Sequence, residues 1–273
     1  MKDVTFGQYL PANSFVHKMD PRAKILLTIA YIVAVFLVRP FHFLGFGACF
    51  VFLILATALS KVSFFKVLRS IKLVLFFVIL SAVLQLFFNS DGNKVFSIGK
   101  VVITDGGLYN AGFIIARIIM VVMGASLLTL TTSPIELADG IESLLTPLKL
   151  IKFPVHEFAL IMSIALRFIP TLLDETDRII KAQKARGADF ESGNIFKRAK
   201  ALIPVLIPLL ISSFRRADEL ADAMDARCYA GSKNRTKYKK LRFTYRDLLA
   251  LIVTAGLIVG IVYLNKFYLF ITL

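Results

Sequence analysis

The chain has 273 residues, 57% of them hydrophobic, and a mean hydropathy of +0.74. Soluble globular domains are roughly 45–50% apolar, so this excess, which is concentrated in long runs, excludes an ordinary soluble domain. The formal net charge is +15. A membrane protein uses such an excess of lysine and arginine to set its orientation and to contact anionic lipid. The two cysteines, Cys49 and Cys228, indicate neither a disulfide framework nor a metal site.

Five apolar stretches are interpreted as membrane spans, each of which needs about 20 mostly apolar residues. Arg39 and Pro40 alone separate the first two, and since proline ends a helix these two spans are predicted to form a tight hairpin. The fourth contains one charge, Arg117, for which a structural role is favoured over a functional one. The predicted spans are Ala23 to Val38, Phe41 to Leu59, Leu73 to Phe88, Gly107 to Thr131 and Leu248 to Asn265.

The distribution of basic residues predicts the orientation, because cytoplasmic loops are enriched in lysine and arginine. With the N-terminus in the cytosol, 28 of the 33 basic residues lie in cytosolic segments and 4 in outer segments, and Arg117 lies within a span. The C-terminus is then outside. Residues 1–132 form an N-terminal arm and spans one to four, residues 133–246 a cytosolic segment, and residues 247–273 the last span. The predicted fold is an all-α integral membrane protein with about five transmembrane helices and long amphipathic cytosolic helices.

The cytosolic segment carries 20 basic and 13 acidic side chains. In Ser133-Pro134-Ile135-Glu136, an N-cap serine, a first-turn proline and a glutamate three residues after the cap predict a helix that runs to about Leu150. A second helix is predicted from near Val155 to Gly187, and a third from about Asn194 to Tyr229. Apolar residues at helical spacing predict a packing seam on the third helix: Leu210, Phe214, Ala217, Ala221, Met224 and Cys228.

An apolar run of 14 residues, Ala201 to Phe214, lies within this third helix and is interrupted by Pro204 and Pro208. It is too short to span a bilayer and has basic residues on both sides, so it is predicted to lie in the membrane interface or beneath the spans. The basic stretch Lys233 to Arg242 is interpreted as a juxtamembrane linker that contacts anionic headgroups.

Two runs in this segment are similar to the signatures of a known family. The first is Ala165-Leu166-Arg167-Phe168-Ile169-Pro170-Thr171, continuing through Glu175 to Ala182-Gln183-Lys184-Ala185-Arg186-Gly187. The second is Arg215-Arg216-Ala217-Asp218-Glu219-Leu220-Ala221, continuing to Met224-Asp225-Ala226-Arg227-Cys228-Tyr229. With the N-terminal run His17 to Lys24 and the order of the spans, nearly the whole chain resembles the transmembrane T component (EcfT) of energy-coupling factor (ECF) transporters.

The resemblance implies a non-catalytic subunit of an ABC-type importer in the bacterial plasma membrane. Such a subunit transmits the motion of two cytosolic ATPases, of EcfA and EcfA' type, to a small substrate-binding membrane protein, the S component, for uptake of vitamins or similar micronutrients. ATP and Mg²⁺ bind to the ATPases, and this chain is expected to bind no cofactor and no metal. The implied ATPase-docking residues are Ala185, Arg186, Gly187, Ala226, Arg227 and Cys228. The expected contacts with the S component are Pro204, Leu206, Pro208 and Leu210.

Arginine suits such docking because its guanidinium is always charged and offers a rigid fork of donors to carboxylates and helix-end carbonyls. The alternative is that an arginine at a helix C-terminus merely compensates the helix dipole. That alternative stays open for Arg186 or Arg227 taken alone.

Two other classes of function were weighed against the coupling subunit. An intramembrane lipid-modifying enzyme would need acids, histidines or serines that converge at the inner membrane face, and the predicted spans contain no acidic residue. A membrane-tethered nucleic-acid binder is disfavoured by the 13 acids of the cytosolic segment and by the near absence of aromatic residues among its basic ones. The chain also lacks a P-loop sequence, so no ATP hydrolysis of that type is expected.

Overall fold

The computed structural model describes residues 9–39, 43–88, 94–98, 101–147, 154–190, 192, 194–229, 231 and 241–271. The chain divides into two compact units: one contains residues 145–240, and the other contains residues 7–144 and 241–273. The elements are α1 (Pro21–Leu37), α2 (Phe43–Ser60), α3 (Phe64–Arg69) with a following 3₁₀ turn (Ser70–Leu73), α4 (Leu75–Phe88), β1 (Lys94–Ile98), β2 (Val101–Thr104), α5 (Asp105–Thr131), α6 (Pro134–Leu144), α7 (Val155–Ala185), α8 (Ile195–Ala201), α9 (Ile203–Ala226) and α10 (Tyr245–Ile271).

The larger unit is a helical bundle in which α1 packs against α5, α6 and α10, and α5 packs against α2 and α4. Asp20 caps the N-terminus of α1, where its side chain accepts a hydrogen bond from the Arg22 N–H at 2.9 Å. Thr104 caps α5 in the same way and accepts from the Gly107 N–H at 3.2 Å. The buried core of this unit contains, among others, Tyr31, Val35, Cys49, Leu53 and Met123.

Among the described residues, three helices are long and apolar enough to cross a membrane: Phe43–Ser60, Asp105–Thr131 and Tyr245–Phe267. A fourth candidate is a helix pair, Phe64–Lys72 with Leu75–Phe87, bent by 64°. The first predicted span corresponds to α1, which has 17 residues. At 1.5 Å per residue α1 is about 25 Å long, shorter than a hydrocarbon core of about 30 Å. The all-α membrane fold is confirmed, while a count of five spans stays a prediction.

Between α4 and α5, strands β1 and β2 pair antiparallel, with Lys94 opposite Thr104 and Ile98 opposite Val101. This hairpin was not predicted. The signal for it was the β-branched run Val101 to Thr104, which is typical of strands but too short to stand out beside the spans.

Helix α6 begins with the predicted capping box: Ser133 Oγ accepts from the Glu136 N–H at 3.3 Å, and Glu136 Oε2 accepts from the Ser133 N–H at 3.5 Å. The helix ends at Leu144, earlier than the predicted Leu150. Gly140 lets α6 approach α1, since a Cβ there would lie 3.1 Å from Pro21 Cβ. By its packing, α6 belongs to the same unit as the membrane helices. The prediction that the cytosolic segment begins at residue 133 is a statement about the membrane surface, and it stays a prediction.

The smaller unit contains α7, α8 and α9. Helix α7 matches the predicted second helix. The predicted third helix is wrong in one respect: it is broken at Leu202 into α8 and α9. The cause is Pro204, which has no N–H to donate and whose ring would clash with the Lys200 carbonyl in a continuous helix. Most of the predicted linker Lys233 to Arg242, at residues 233–240, lies outside the described residues.

Candidate arginine docking site

The first arginine motif ends α7 in a turn closed by main-chain hydrogen bonds. Arg186 is the C-cap, with φ −86 and ψ 6, and Gly187 follows with a φ of 88. The Gly187 N–H donates to Lys184 O at 3.0 Å, and the Ala188 N–H donates to Gln183 O at 3.0 Å. This is a Schellman motif, in which a residue in the left-handed region closes the last turn. Glycine adopts that conformation without steric cost because it has no Cβ.

The second motif ends α9 in the same geometry. Arg227 is the C-cap, with φ −92 and ψ 12, and Cys228 follows with a φ of 56. The Cys228 N–H donates to Asp225 O at 2.9 Å, and the Tyr229 N–H donates to Met224 O at 3.1 Å. The two arginines therefore have equivalent backbone positions. They differ in the residue that follows, because a left-handed conformation costs a residue with a Cβ about 1–2 kcal/mol.

Both arginines are exposed, and so are Ala185 and Ala226 before them. Neither guanidinium makes a hydrogen bond or an ion pair with any residue that the structure describes. A helix C-terminus carries partial negative charge, which favours a cation at either position. The helix dipole does not occupy the five N–H donors of a guanidinium, so both side chains are free to bind a partner. The docking role itself stays a prediction.

A polar cluster joins the two helices well before their ends. Arg216 of α9 donates from its guanidinium to Glu175 Oε2 of α7 at 2.6 Å. Ser212, one turn earlier on α9, donates its hydroxyl hydrogen to Glu175 Oε1. The Ser212 hydroxyl first, and then the Arg216 guanidinium, hold the pKa of the Glu175 carboxyl below its usual value. Both oxygens of one carboxylate are therefore held by α9.

A further bond lies nearer the end of α7. Pro208 has no N–H, so the Pro204 carbonyl one turn earlier lacks its helical donor. The Gln183 side-chain amide donates to that carbonyl at 3.4 Å. Along α7 the partners run from Glu175 to Gln183, while along α9 they run from Arg216 back to Pro204. The helices are consequently antiparallel, with the two arginine motifs at opposite ends of the pair.

The packing seam predicted on α9 is partly wrong. Ala217, Ala221 and Met224 line a cleft with Ile164, Phe168 and Leu172 of α7, together with Ser213, Arg216 and Leu220. Leu210 and Phe214 instead are 55% and 66% exposed, and Cys228 is exposed as well. The contact passes through Ser212, Ser213 and Arg216, which a search for apolar periodicity does not select.

The residues expected to contact the S component form an exposed apolar surface on α9. Leu206 and Leu210 are 52% and 55% exposed, and Pro204 and Pro208 are also exposed. Neighbouring apolar side chains continue this surface: Leu202, Ile203, Ile207, Ile211 and Phe214. Seven large apolar residues on one short segment form a patch of the kind that marks an interaction site.

In the larger unit, residues of the N-terminal run His17 to Lys24 form a buried joint. Lys24 Nζ donates to the His17 carbonyl at 3.2 Å and to the Thr131 carbonyl, at the end of α5, at 3.0 Å. Asp247 Oδ1 of α10 accepts from the Asp20 N–H at 2.9 Å. Resemblance had singled out this run, but its contacts with α5 and α10 were not predicted.

Arg117 of α5 donates to the Val38 carbonyl, at the C-cap of α1, at 2.6 Å. Its guanidinium also lies 5.8 Å from the ring centroids of Phe36 and Phe46. These contacts satisfy a charge inside a helix bundle and agree with the structural role favoured for it. Among the described residues no group of three or more His, Cys, Asp or Glu side chains is arranged to hold a metal.

Comparison with known proteins finds one matching family and relatives that share one name. The family CbiQ, described as a cobalt transport protein, matches residues 12–238. Energy-coupling factor transporter transmembrane protein EcfT of Thermosediminibacter oceani is 51% identical over 260 residues, covering 95% of this chain and 97% of its own. Proteins of the same name match from Clostridium kluyveri, 51% identical with 92% of each chain covered, and from Listeria innocua, 44% identical with 94% of this chain and 98% of its own covered. The chain thus belongs to the CbiQ family and is an energy-coupling factor transmembrane component of the EcfT kind.

Proposed function

We propose that the chain is the non-catalytic coupling and scaffold subunit of an ECF-type importer. It transmits the movement of two cytosolic ATPases, of EcfA and EcfA' type, to an S component that carries a vitamin or a similar micronutrient. ATP and Mg²⁺ bind to the ATPases and not to this chain. The observation that carries the proposal is the pair of exposed arginines, Arg186 and Arg227, in equivalent helix caps at opposite ends of two antiparallel helices.

Each motif offers one ATPase the same recognition element. The cap holds the arginine at the end of the helix, and the small residue before it, Ala185 or Ala226, leaves room for a partner surface. A guanidinium bound to a carboxylate or to helix-end carbonyls forms charge-assisted hydrogen bonds. When ATP closes the ATPases against each other, the two arginines are displaced together with their helices.

The exposed apolar surface around Pro204, Leu206, Pro208 and Leu210 supports the S component. It is too apolar to remain exposed in the cytosol, and it adjoins Gln183 near the first motif. Motion of α7 and α9 thereby reaches the substrate-binding subunit. The N-terminus and residues 133–246 are cytosolic and the C-terminus is outside, so that both motifs face the cytosolic ATPases.

Replacement of the two arginines tests ATPase docking. Hydrogen bonds to a charged group are worth about 1.5–3 kcal/mol, and 1.4 kcal/mol is a factor of ten in affinity. Arg186→Ala or Arg227→Ala should each weaken one ATPase contact by roughly tenfold or more, and the double variant should release both ATPases. Lysine should restore binding only in part because it lacks the planar fork.

The measurement is co-purification of the organism's own ATPases with the tagged chain from membranes, with equal expression as a requirement. Lys181→Ala and Arg215→Ala are matched controls, since both remove an exposed cation from the same helices away from the caps. A well-expressed double alanine variant that retains both ATPases would overturn the docking role.

The apolar surface is tested separately with Leu206→Glu and Leu210→Glu together. We expect the S component to be lost from the purified complex while the ATPases remain. Leu173→Glu on α7, at a residue that is 40% exposed, controls for the effect of an added carboxylate. Retention of the S component in the double variant would contradict this contact.

A further inference from the structure

The ion pair between α7 and α9 has the same position relative to both docking arginines. Glu175 lies 11 residues before Arg186, and Arg216 lies 11 residues before Arg227. Both intervening stretches are helical and contain no proline, since Pro170 and Pro208 come earlier. At 1.5 Å per residue, each arm from the ion pair to its arginine is about 16 Å long.

The contact at this point is held more firmly than those on either side of it, since the bond from Gln183 to the Pro204 carbonyl, farther along α7, is a single one of 3.4 Å between exposed groups. Glu175 is bound through both carboxylate oxygens, one by Arg216 and one by Ser212. Its side chain is 24% exposed and that of Arg216 is 34% exposed, so the pair is partly shielded from water. The neighbouring cleft is lined mainly by apolar side chains, which can slide past one another more easily than a doubly held carboxylate can move.

We propose that Glu175, Arg216 and Ser212 are positioning residues that form a pivot with equal arms between the two docking ends. This inference rests on the proposed function, because the arms end at the arginines assigned to the two ATPases. With the pivot intact, α7 and α9 cross at one fixed point, and a displacement imposed at one arginine turns both helices. Without it, each ATPase moves its own helix and the movement is not passed to the other.

The pivot gives a reason for the equal distance from the ion pair to the cap on two helices of different length and sequence. α7 has 31 residues and α9 has 24, yet the distance from crossing to cap is the same on each. Two ATPases that close symmetrically impose equal displacements on their docking sites, and equal arms convert these into equal rotations of the two helices.

Spin labels placed symmetrically on the two arms test the pivot. Lys181 and Asp222 are exposed and each lies five residues before its docking arginine. The full-length chain carries Cys228→Gly to remove the exposed cysteine; glycine there repeats the residue that follows Arg186, and this background must first be shown to retain both ATPases. Lys181→Cys and Asp222→Cys are then labelled in lipid nanodiscs, and the distance between the labels is measured by pulsed electron paramagnetic resonance. The same measurement is repeated on the complex with its ATPases, before and after addition of ATP, Mg²⁺ and orthovanadate.

The unmodified pivot should give one narrow distance distribution that shifts as a whole with ATP and vanadate. Glu175→Arg and Arg216→Glu, taken singly, place like charges at the crossing and should broaden the distribution and abolish the shift. The two together restore opposite charges and should restore both. Ser212→Ala should have a smaller effect in the same direction, and Asp174→Asn, an exposed carboxylate next to the pivot on α7, should have none.

The ATPases should stay bound in all pivot variants because both docking arginines are intact. An unchanged distribution in both charge-reversal variants would overturn the pivot, as would a double variant no better than the singles. Failure of the proposed function looks different: the double alanine variant of the arginines would retain the ATPases, whatever the labels show.

Discussion

Lys24 of α1 donates to the main-chain oxygen of Thr131, the last residue of α5, over a distance of 3.0 Å. The lysine is only 4% exposed, and its second acceptor is the His17 carbonyl. The last carbonyls of a helix have no intrahelical donor. The Lys24 ammonium group donates to one of these carbonyls at the point where α1 meets α5. A cation is also favoured there by the helix dipole.

Replacement of this lysine should destabilise the bundle. Lys24→Met keeps most of the side-chain volume and removes both hydrogen bonds, so we expect a loss of about 3–6 kcal/mol, given roughly 1.5–3 kcal/mol per bond to a charged group. The midpoint of thermal unfolding in detergent measures the effect. Lys18→Met, at an exposed lysine, is the control, and equal midpoints for the two variants would refute the prediction.

The contact between α1 and α5 depends on a glycine. A Cβ at Gly124 would lie 2.6 Å from Tyr31 Cε1, whereas a Cβ at Gly112, on the same helix, would meet nothing within 4 Å. Gly124→Ala should therefore lower stability by about 1–3 kcal/mol through overpacking, and Gly112→Ala should be neutral or stabilising. The midpoint of thermal unfolding of both variants measures the effect. A Gly124→Ala variant as stable as the parent would show that Tyr31 moves aside without cost and would contradict the prediction.

The two helix caps should respond in opposite ways to substitution. Gly187→Ala forces a Cβ into the left-handed region and should cost about 1 kcal/mol, while Cys228→Gly relieves the same strain and should add about 1 kcal/mol. No atom lies within 4 Å of a Cβ at Gly187, so the backbone alone is responsible. Hydrogen exchange of the cap amides measures both effects, and the same sign for both would contradict equivalent caps.

The α7–α9 crossing should loosen at acidic pH. The pKa of Glu175 is lowered in the folded chain, so its stabilising contribution is present above the unfolded value of about 4.3 and is lost as pH falls through the lower folded value. Fluorescence or spin-label distances between Lys181 and Asp222 should thus change below about pH 4. In Glu175→Gln this step should disappear; a step that persists would assign it to another carboxylate.

Orientation in the membrane is tested with single cysteines in a background without Cys49 and Cys228. A cysteine at Lys266, near the end of α10, should react with an impermeant maleimide added to intact cells. A cysteine at Ser192, between α7 and α8, should react only after the cells are opened. Neither side chain is buried by the rest of the chain. Labelling of Ser192 from outside would invert the proposed topology.

Local sequence determined much of this protein. Long apolar runs can only be buried in lipid or in other helices, which fixed the class and the approximate positions of α2, α5 and α10. The capping box at Ser133, the end of α7 before Gly187, and the two arginines at helix ends follow from rules that act within one turn. Such signals need no knowledge of distant contacts.

Tertiary structure decided what joins these elements. Glu175 and Arg216 are 41 positions apart, and the contact between α7 and α9 passes through Ser212 and Arg216, where periodicity of apolar residues predicted Leu210 and Phe214. The donor that Gln183 supplies to Pro204 and the burial of Lys24 at the end of α5 are of the same kind. Each of these contacts joins groups that are far apart in the chain. The sequence shows that a buried carbonyl or charge requires a partner, but only the packing of the helices determines which residue that partner is.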